Sequence, residues 1–322
     1  MPRSVRSRAL TATSIALALI LGAAACSGDD DPAPTPTATA TAEPTADSTA
    51  LPVATDADME LLSTVEVTGD AGVKPTITLP STPFAMTGTG AVLLADGDGA
   101  EITDESLVQV HITAVDGADG TALGSTFDEG ATAEVWPASS GLDQLDEIMI
   151  GAHEGARILL GLASGDATQV YVVDLPAVIP PTADGTAVAP DESLPVVTVG
   201  DDGVPVIAAG VGEPPTELVV QPLIQGDGDT VEKGDDVVVQ YVGALWDGTV
   251  FDSSWANGQP LTVGDLGSGS VVAGWEQGLE GQQVGSRVLL VIPPELGYKD
   301  VDQGSIPANS TLVFVVDILK TS

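Results

Sequence analysis

A single cysteine in 322 residues excludes an intrachain disulfide and any cysteine-rich zinc site. Cations are nearly as scarce, with Lys+Arg 9 against Asp+Glu 47 and a net charge of −38. Arg3, Arg6 and Arg8 sit at the extreme N-terminus, and no acidic residue precedes Asp29. The rest of the chain therefore has no basic face with which to neutralise phosphate, which argues against a nucleic-acid partner and against electrostatic docking to anionic lipid. The two histidines, His111 and His153, belong to no HExxH pattern and read as strand or surface residues. There is no GxSxG elbow and no P-loop. Asp96-Gly97-Asp98-Gly99 and Asp227-Gly228-Asp229 fail the EF-hand spacing and read as turns. No cofactor or metal is implied. Hydrophobic residues make up 43%, enough to build a core, while aromatics are only 3%, so their positions carry information.

The N-terminus reads as an address. A basic n-region is followed by an uncharged apolar stretch, Ala9 to Ala25, that ends in Ala23-Ala24-Ala25-Cys26. This resembles a bacterial lipoprotein signal, with Ala23 where Leu is usual. The resemblance implies a signal peptide over 1–25, acylation of Cys26, and an extracytoplasmic protein held to the membrane by that lipid alone. Residues 26–59 are rich in Pro, Thr, Ala and acids, without hydrophobic periodicity. Such a stretch buries too little apolar area to offset its ordering entropy, so a disordered tether is expected.

The body is written twice. Gly97-Asp98-Gly99 recurs as Gly226-Asp227-Gly228 at an offset of 129. Gly155-Ala156-Arg157-Ile158-Leu159-Leu160 recurs as Gly285-Ser286-Arg287-Val288-Leu289-Leu290 at 130, and Val173-Asp174-Leu175 as Val316-Asp317-Ile318 at 143. A period this long is a domain duplication rather than a solenoid repeat. It divides the body into 60–178, a Pro/Ala/Asp-rich linker over 179–191, and 192–322. The jump from 130 to 143 places 13 extra residues of the second repeat in the Pro/Gly-rich stretch Pro293–Ser310, where a functional loop is expected.

In the second repeat, 217–224, 236–242, 287–292 and 311–319 read as strands, and Asp247-Gly248 as a tight turn. Only 274–279 reads as a helix. Many strands and one short helix predict an α+β arrangement, an antiparallel sheet curled over that helix.

Specific motifs lie on this frame: Tyr241-x-Gly243-x₃-Asp247-Gly248-x₂-Phe251-Asp252-Ser253-Ser254; Val271-Val272-Ala273-Gly274-Trp275-Glu276-x-Gly278; Val284-Gly285-x-Arg287; Ile292-Pro293-Pro294-Glu295-x-Gly297-Tyr298; and Ile306-Pro307-x₂-Ser310-Thr311-Leu312-x-Phe314. In order and spacing they resemble the signature of FKBP-type peptidyl-prolyl isomerases over about 100 residues. The resemblance implies a half-barrel sheet on one short helix in each repeat and a shallow apolar pocket for a prolyl ring. Trp275 would be its floor, with Tyr241, Phe251, Val271, Val272, Ile306 and Phe314 as walls. Asp252 would lie at the rim, and Tyr298 would aim its hydroxyl at the bound carbonyl. Leu261 stands where an aromatic wall is expected, Asn257 where a basic residue is common, and Lys299 where Gly is expected. The implied partners are proline-containing exported proteins, with macrolide inhibitors as further ligands.

The chemistry needs no nucleophile, metal or cofactor. An X-Pro bond turns over a barrier of ~18–20 kcal/mol because rotation breaks amide resonance. The twisted amide has lost charge separation, so a water-excluding apolar pocket favours it over the planar ground state, and such differential binding lowers the barrier. In the first repeat the aligned residues are Ile112 for Tyr241, Leu123 for Phe251, Gly124 for Asp252 and Leu145 for Trp275, and the loop carrying Tyr298 and Ile306 is missing. That repeat reads as a degenerate copy that keeps a core without the site. Two functions follow from the pattern: an extracytoplasmic isomerase acting on X-Pro bonds, or a noncatalytic chaperone or binding module that uses the same surface.

Overall fold

The computed structural model describes residues 51–164, 167–200 and 202–322. The expected signal segment, Cys26 and the tether as far as residue 50 lie outside them. Residues 51–59, expected as the end of a disordered tether, are instead built into the body. Helix α1 (Asp56–Leu62) starts at Thr55, whose hydroxyl accepts from the Asp58 amide while the Asp58 carboxylate accepts from the Thr55 amide at 2.9 Å. This reciprocal capping box satisfies helix-end donors that composition alone does not reveal. Asp58 also accepts from the amide and hydroxyl of Thr87, and these hydrogen bonds hold its carboxyl well below the usual carboxylate range. Leu62 packs against Phe84 and Met86, which anchors the helix.

Beyond α1 the chain forms β1 (Glu66–Thr68), β2 (Thr76–Thr78), β3 (Gly90–Ala95), β4 (Leu107–Asp116), β5 (Ala122–Ser125), β6 (Glu134–Pro137), α2 (Asp143–Met149), β7 (Ala156–Ser164) and β8 (Ala167–Ile179). It continues through β9 (Thr186–Ala187), β10 (Val197–Val199), β11 (Pro205–Ile207), β12 (Val219–Gln225), β13 (Val237–Leu245), β14 (Val250–Ser253) and α3 (Ser254–Asn257). The last elements are β15 (Leu261–Val263), α4 (Ala273–Leu279), β16 (Arg287–Ile292) and β17 (Leu312–Thr321). Two large antiparallel sheets result, beside the two-stranded pairs β1-β2 and β10-β11. The first runs β3-β7-β8-β4-β5, with β6 beside β4. The second runs β12-β16-β17-β13-β14, with β15 beside β13 and β9 outside β12. Strand order and register match: Ile112 faces Val173 in one sheet, and Tyr241 faces Val316 in the other.

The residues that betray the repeat do matching work in each copy. Arg157 donates Nε to Asp174 at 2.7 Å, and Arg287 donates Nε to Asp317 at 2.6 Å, both pairs nearly fully buried and bidentate. The Thr126 hydroxyl accepts from the Ile112 amide, and the Ser254 hydroxyl from the Tyr241 amide, each at 2.8 Å. At Gly97 and Gly226 a Cβ would stand 1.9 and 2.1 Å from the carbonyl oxygens of Glu154 and Val284, so these Asp-Gly segments are close backbone crossings.

One further expectation needs correction. Each repeat has a second short helix, α1 in the first and α3 in the second, rather than one helix alone. The linker 179–191 carries structure of its own. Its β9 pairs with Ile224 and Gln225, and the Ala183 amide donates to Asp317 at 2.9 Å. Residues 205–207 form a further strand, pairing with 197–199.

In the second sheet, side chains alternate between two apolar layers. Val288, Leu290, Ile292, Leu312, Phe314 and Val316 pack with Trp275 on one face, while Leu289, Val313 and Val315 pack with Leu223 on the other. This is the period of two expected of a sheet covered on both sides. Between the sheets, Leu107 and Ile179 pack against Val238 and Leu319.

Candidate active site

Helix α4 fixes the floor of the site. It is only seven residues long and has no side-chain cap at Val272; instead Glu276 reaches back to accept from the Gly269 amide at 2.6 Å. Gly274 and Gly278 bring it down onto β16. A Cβ at these positions would lie 2.4 Å from Ile292 Cγ2 and 2.7 Å from Leu290 Cδ2. Trp275, 3% exposed, is thereby pressed against the sheet. Its Nε1 is buried without a hydrogen-bond acceptor among the described residues, a cost of about 1–3 kcal/mol that the fold carries at this spot.

Three rings close around it. Tyr241 and Phe314 each meet Trp275 edge to face at 5.2 Å, and Phe251 meets Phe314 at 5.5 Å and 85°. Perpendicular pairs of this kind add roughly 0.5–1.5 kcal/mol each beyond burial, which makes the box rigid. Gly243 permits it: a Cβ there would stand 2.7 Å from both Phe251 Cε2 and Phe314 Cε1.

The rim is polar. The Tyr241 hydroxyl donates to Asp252 Oδ2, the Ser253 amide donates to Oδ1 at 2.8 Å, and Asn257 Nδ2 donates to Oδ1 at 3.2 Å. Burial, with the Asp252 hydrogen bond and charge next, pushes the Tyr241 hydroxyl far above its usual pKa, so it stays a neutral donor. The Pro293–Ser310 stretch does form a long loop between β16 and β17, and it begins with a 3₁₀ turn over Pro294–Leu296. Lys299 adopts φ 58°, with its amide on the Pro294 carbonyl and its carbonyl accepting from the Asn309 amide at 2.7 Å. That brace sets Tyr298 on the lip.

The resulting cavity of about 170 Å³ is lined by Tyr241, Phe251, Asp252, Leu261, Val271, Val272, Trp275, Tyr298 and Phe314, with Ser270 as a further contributor. Nine of the residues singled out from sequence thus meet on one hollow. Ile306, expected as a wall, is not among these lining residues; at 6% exposure it clusters with Tyr241, Trp275 and Phe314 in the core. Ser270, whose hydroxyl donates to the Gly264 carbonyl, carries no pattern that sequence reasoning could have used. In the first repeat, Ile112 and Leu145 are buried in the core, Leu123 is exposed, and Ala114 occupies the register of Gly243. The residue facing Ala114 is Tyr171, in the register of Phe314.

The family model described as FKBP-type peptidyl-prolyl cis-trans isomerase matches residues 228–319, which contain every residue lining this hollow. The chain is 42% identical over 111 residues to an FK506-binding protein of Streptomyces anulatus, covering 34% of this chain and 89% of that one. An FK506-binding protein of Neisseria meningitidis is 42% identical over 104 residues, 32% of this chain and 94% of the relative. FKBP-type peptidyl-prolyl cis-trans isomerase FkpA of Escherichia coli is 44% identical over 110 residues, which span 34% of this chain but only 40% of the relative. The chain belongs to the FKBP-type peptidyl-prolyl cis-trans isomerase family, and it is an enzyme of the rotamase class.

Proposed function

We propose that the second repeat isomerises X-Pro bonds of exported proteins by relaxing the prolyl imide inside the aromatic box. The observation that carries this reading is the box itself: Trp275 beneath, with Tyr241, Phe251 and Phe314 at close to right angles or tilted around it. A prolyl ring seated on the indole places its imide among apolar walls, where the planar, charge-separated amide loses hydration and the twisted amide loses less. The Tyr298 hydroxyl holds the carbonyl oxygen from the lip. Asp252, with its donors in place, keeps the Tyr241 ring square to the indole and takes no proton in the reaction.

The first repeat serves as a scaffold without turnover, and the two repeats are separate domains joined through 179–191. The run Arg3 to Cys26 supports an extracytoplasmic place and a lipid on Cys26. Cys26→Ser should release the protein from the membrane fraction.

The deciding measurement is exchange NMR on a proline tetrapeptide with the full chain. Acceleration that falls severalfold in Tyr298→Phe, with the fold retained, supports the reading. A well-folded protein that does not accelerate exchange refutes it and leaves the noncatalytic binding module.

A further inference from the structure

The two buried arginines differ in what completes them. A guanidinium has five N–H donors. Arg157 gives two to Asp174 and further ones to backbone carbonyls of the β1–β2 turn: Nη1 to Gly69 at 2.6 Å, and Nη2 to Asp70 and Val73 at 2.8 Å each. Arg287 gives Nε and Nη2 to Asp317, and among the described residues no carbonyl meets its other donors. Its side chain is 5% exposed. It lines a cleft of about 350 Å³ together with residues of β12 and of the 188–199 segment. The walls are aliphatic: Val188, Val196, Val199, Leu223 and Ile224. Val196 and Val199 are 63% and 53% exposed, an unusual display for branched side chains around a buried cation.

We propose that this cleft binds an extended aliphatic peptide segment of a client protein, independently of proline. A main-chain carbonyl of the client would take the Arg287 donors, and its branched side chains would cover the valines. The first repeat supports this assignment, since there the same guanidinium is completed by carbonyls of a peptide turn. Asp191 and Glu192 also border the cleft, and their charge disfavours a carboxylate ligand and favours a neutral carbonyl. The cleft lies on the face opposite the aromatic box. Along β16, Arg287 shares the parity of Leu289, which packs with Leu223, whereas Val288 and Leu290 pack with Trp275.

Fluorescence anisotropy with the full chain and a labelled, proline-free Val/Leu/Ala peptide with blocked ends tests the proposal. Saturable binding is expected. Val196→Asp and Val196→Trp should each weaken it at least tenfold without changing turnover of a proline tetrapeptide. Trp275→Leu should lose turnover and keep the peptide. Binding that is absent, that is untouched by both Val196 variants, or that disappears with Trp275→Leu overturns the proposal, as does tighter binding of the same peptide with a free carboxylate end. Should either variant fail to fold by circular dichroism, Val199→Asp takes its place. Turnover is read separately, so failure of the isomerase reading is distinguishable from failure of this one.

Discussion

The two repeats share strand order, register, a buried arginine–aspartate pair and a hydroxyl cap on the central strand, yet the aromatic box belongs to the second. What separates them is small. Leu145 replaces a tryptophan, Ala114 a glycine and Gly124 an aspartate, and β8 follows β7 after two residues where the second repeat has a long loop. The frame therefore does not make the site; it only offers a place for one. The site depends on room at Gly243, on an indole at Trp275, and on a loop that raises Tyr298 to the lip.

The strongest way to test the shared part is to break the ion pairs. Asp317→Ala leaves Arg287 buried and uncompensated, which should cost about 3–5 kcal/mol and unfold the second repeat with loss of turnover. Asp174→Ala should destabilise the first repeat by a similar amount while turnover survives, as read by two-transition calorimetry and assay side by side. Loss of turnover in both variants would mean that the repeats fold as one unit.

The next test converts the second repeat toward the first. Trp275→Leu should lower kcat/KM roughly 100-fold, equivalent to about 3 kcal/mol of lost transition-state stabilisation. Gly243→Ala should act more mildly. Its Cβ must displace Phe251 or Phe314, an overpacking cost of about 1–3 kcal/mol that should cut turnover about tenfold. The reciprocal Ala114→Gly should cost about 1 kcal/mol of stability and leave turnover alone. The smallest effect is a null one. Burial and Asp252 keep the proton on Tyr241, so in a Tyr298→Phe background raising the pH to the ordinary tyrosine value of 10 should leave the remaining kcat/KM level. A decline tracking tyrosine ionisation over that range would show that the hydroxyl is less shielded than its burial requires.

Much of the second repeat could be read in advance because its residues are constrained by several demands at once. Trp275 must fill the floor, meet two rings and sit between two glycines, and such overlap leaves a pattern in the sequence. The buried pair Arg287–Asp317 was visible as a repeated motif, though not as an ion pair, since its members stand thirty residues apart. Helix α1 escaped notice because its signal is one reciprocal cap in an acidic, Thr/Ala-rich stretch, and tertiary packing of Leu62 decides the rest. Ile306 is ambiguous in the sequence for a related reason. A loop residue near a pocket can face the hollow or the core below, and spacing does not distinguish the two. Strand β9 spans two residues, too few for any periodicity to register.

That short strand has a practical consequence. Strand β12 is the border of its sheet, and bare borders recruit other chains. Thr186 and Ala187 shield its final turn-side residues, Ile224 and Gln225, while the Val188 amide reaches the Leu223 carbonyl at 2.9 Å. A fragment begun at Glu192 would discard this guard and should self-associate on storage. One begun at Pro180 keeps it and should remain monodisperse.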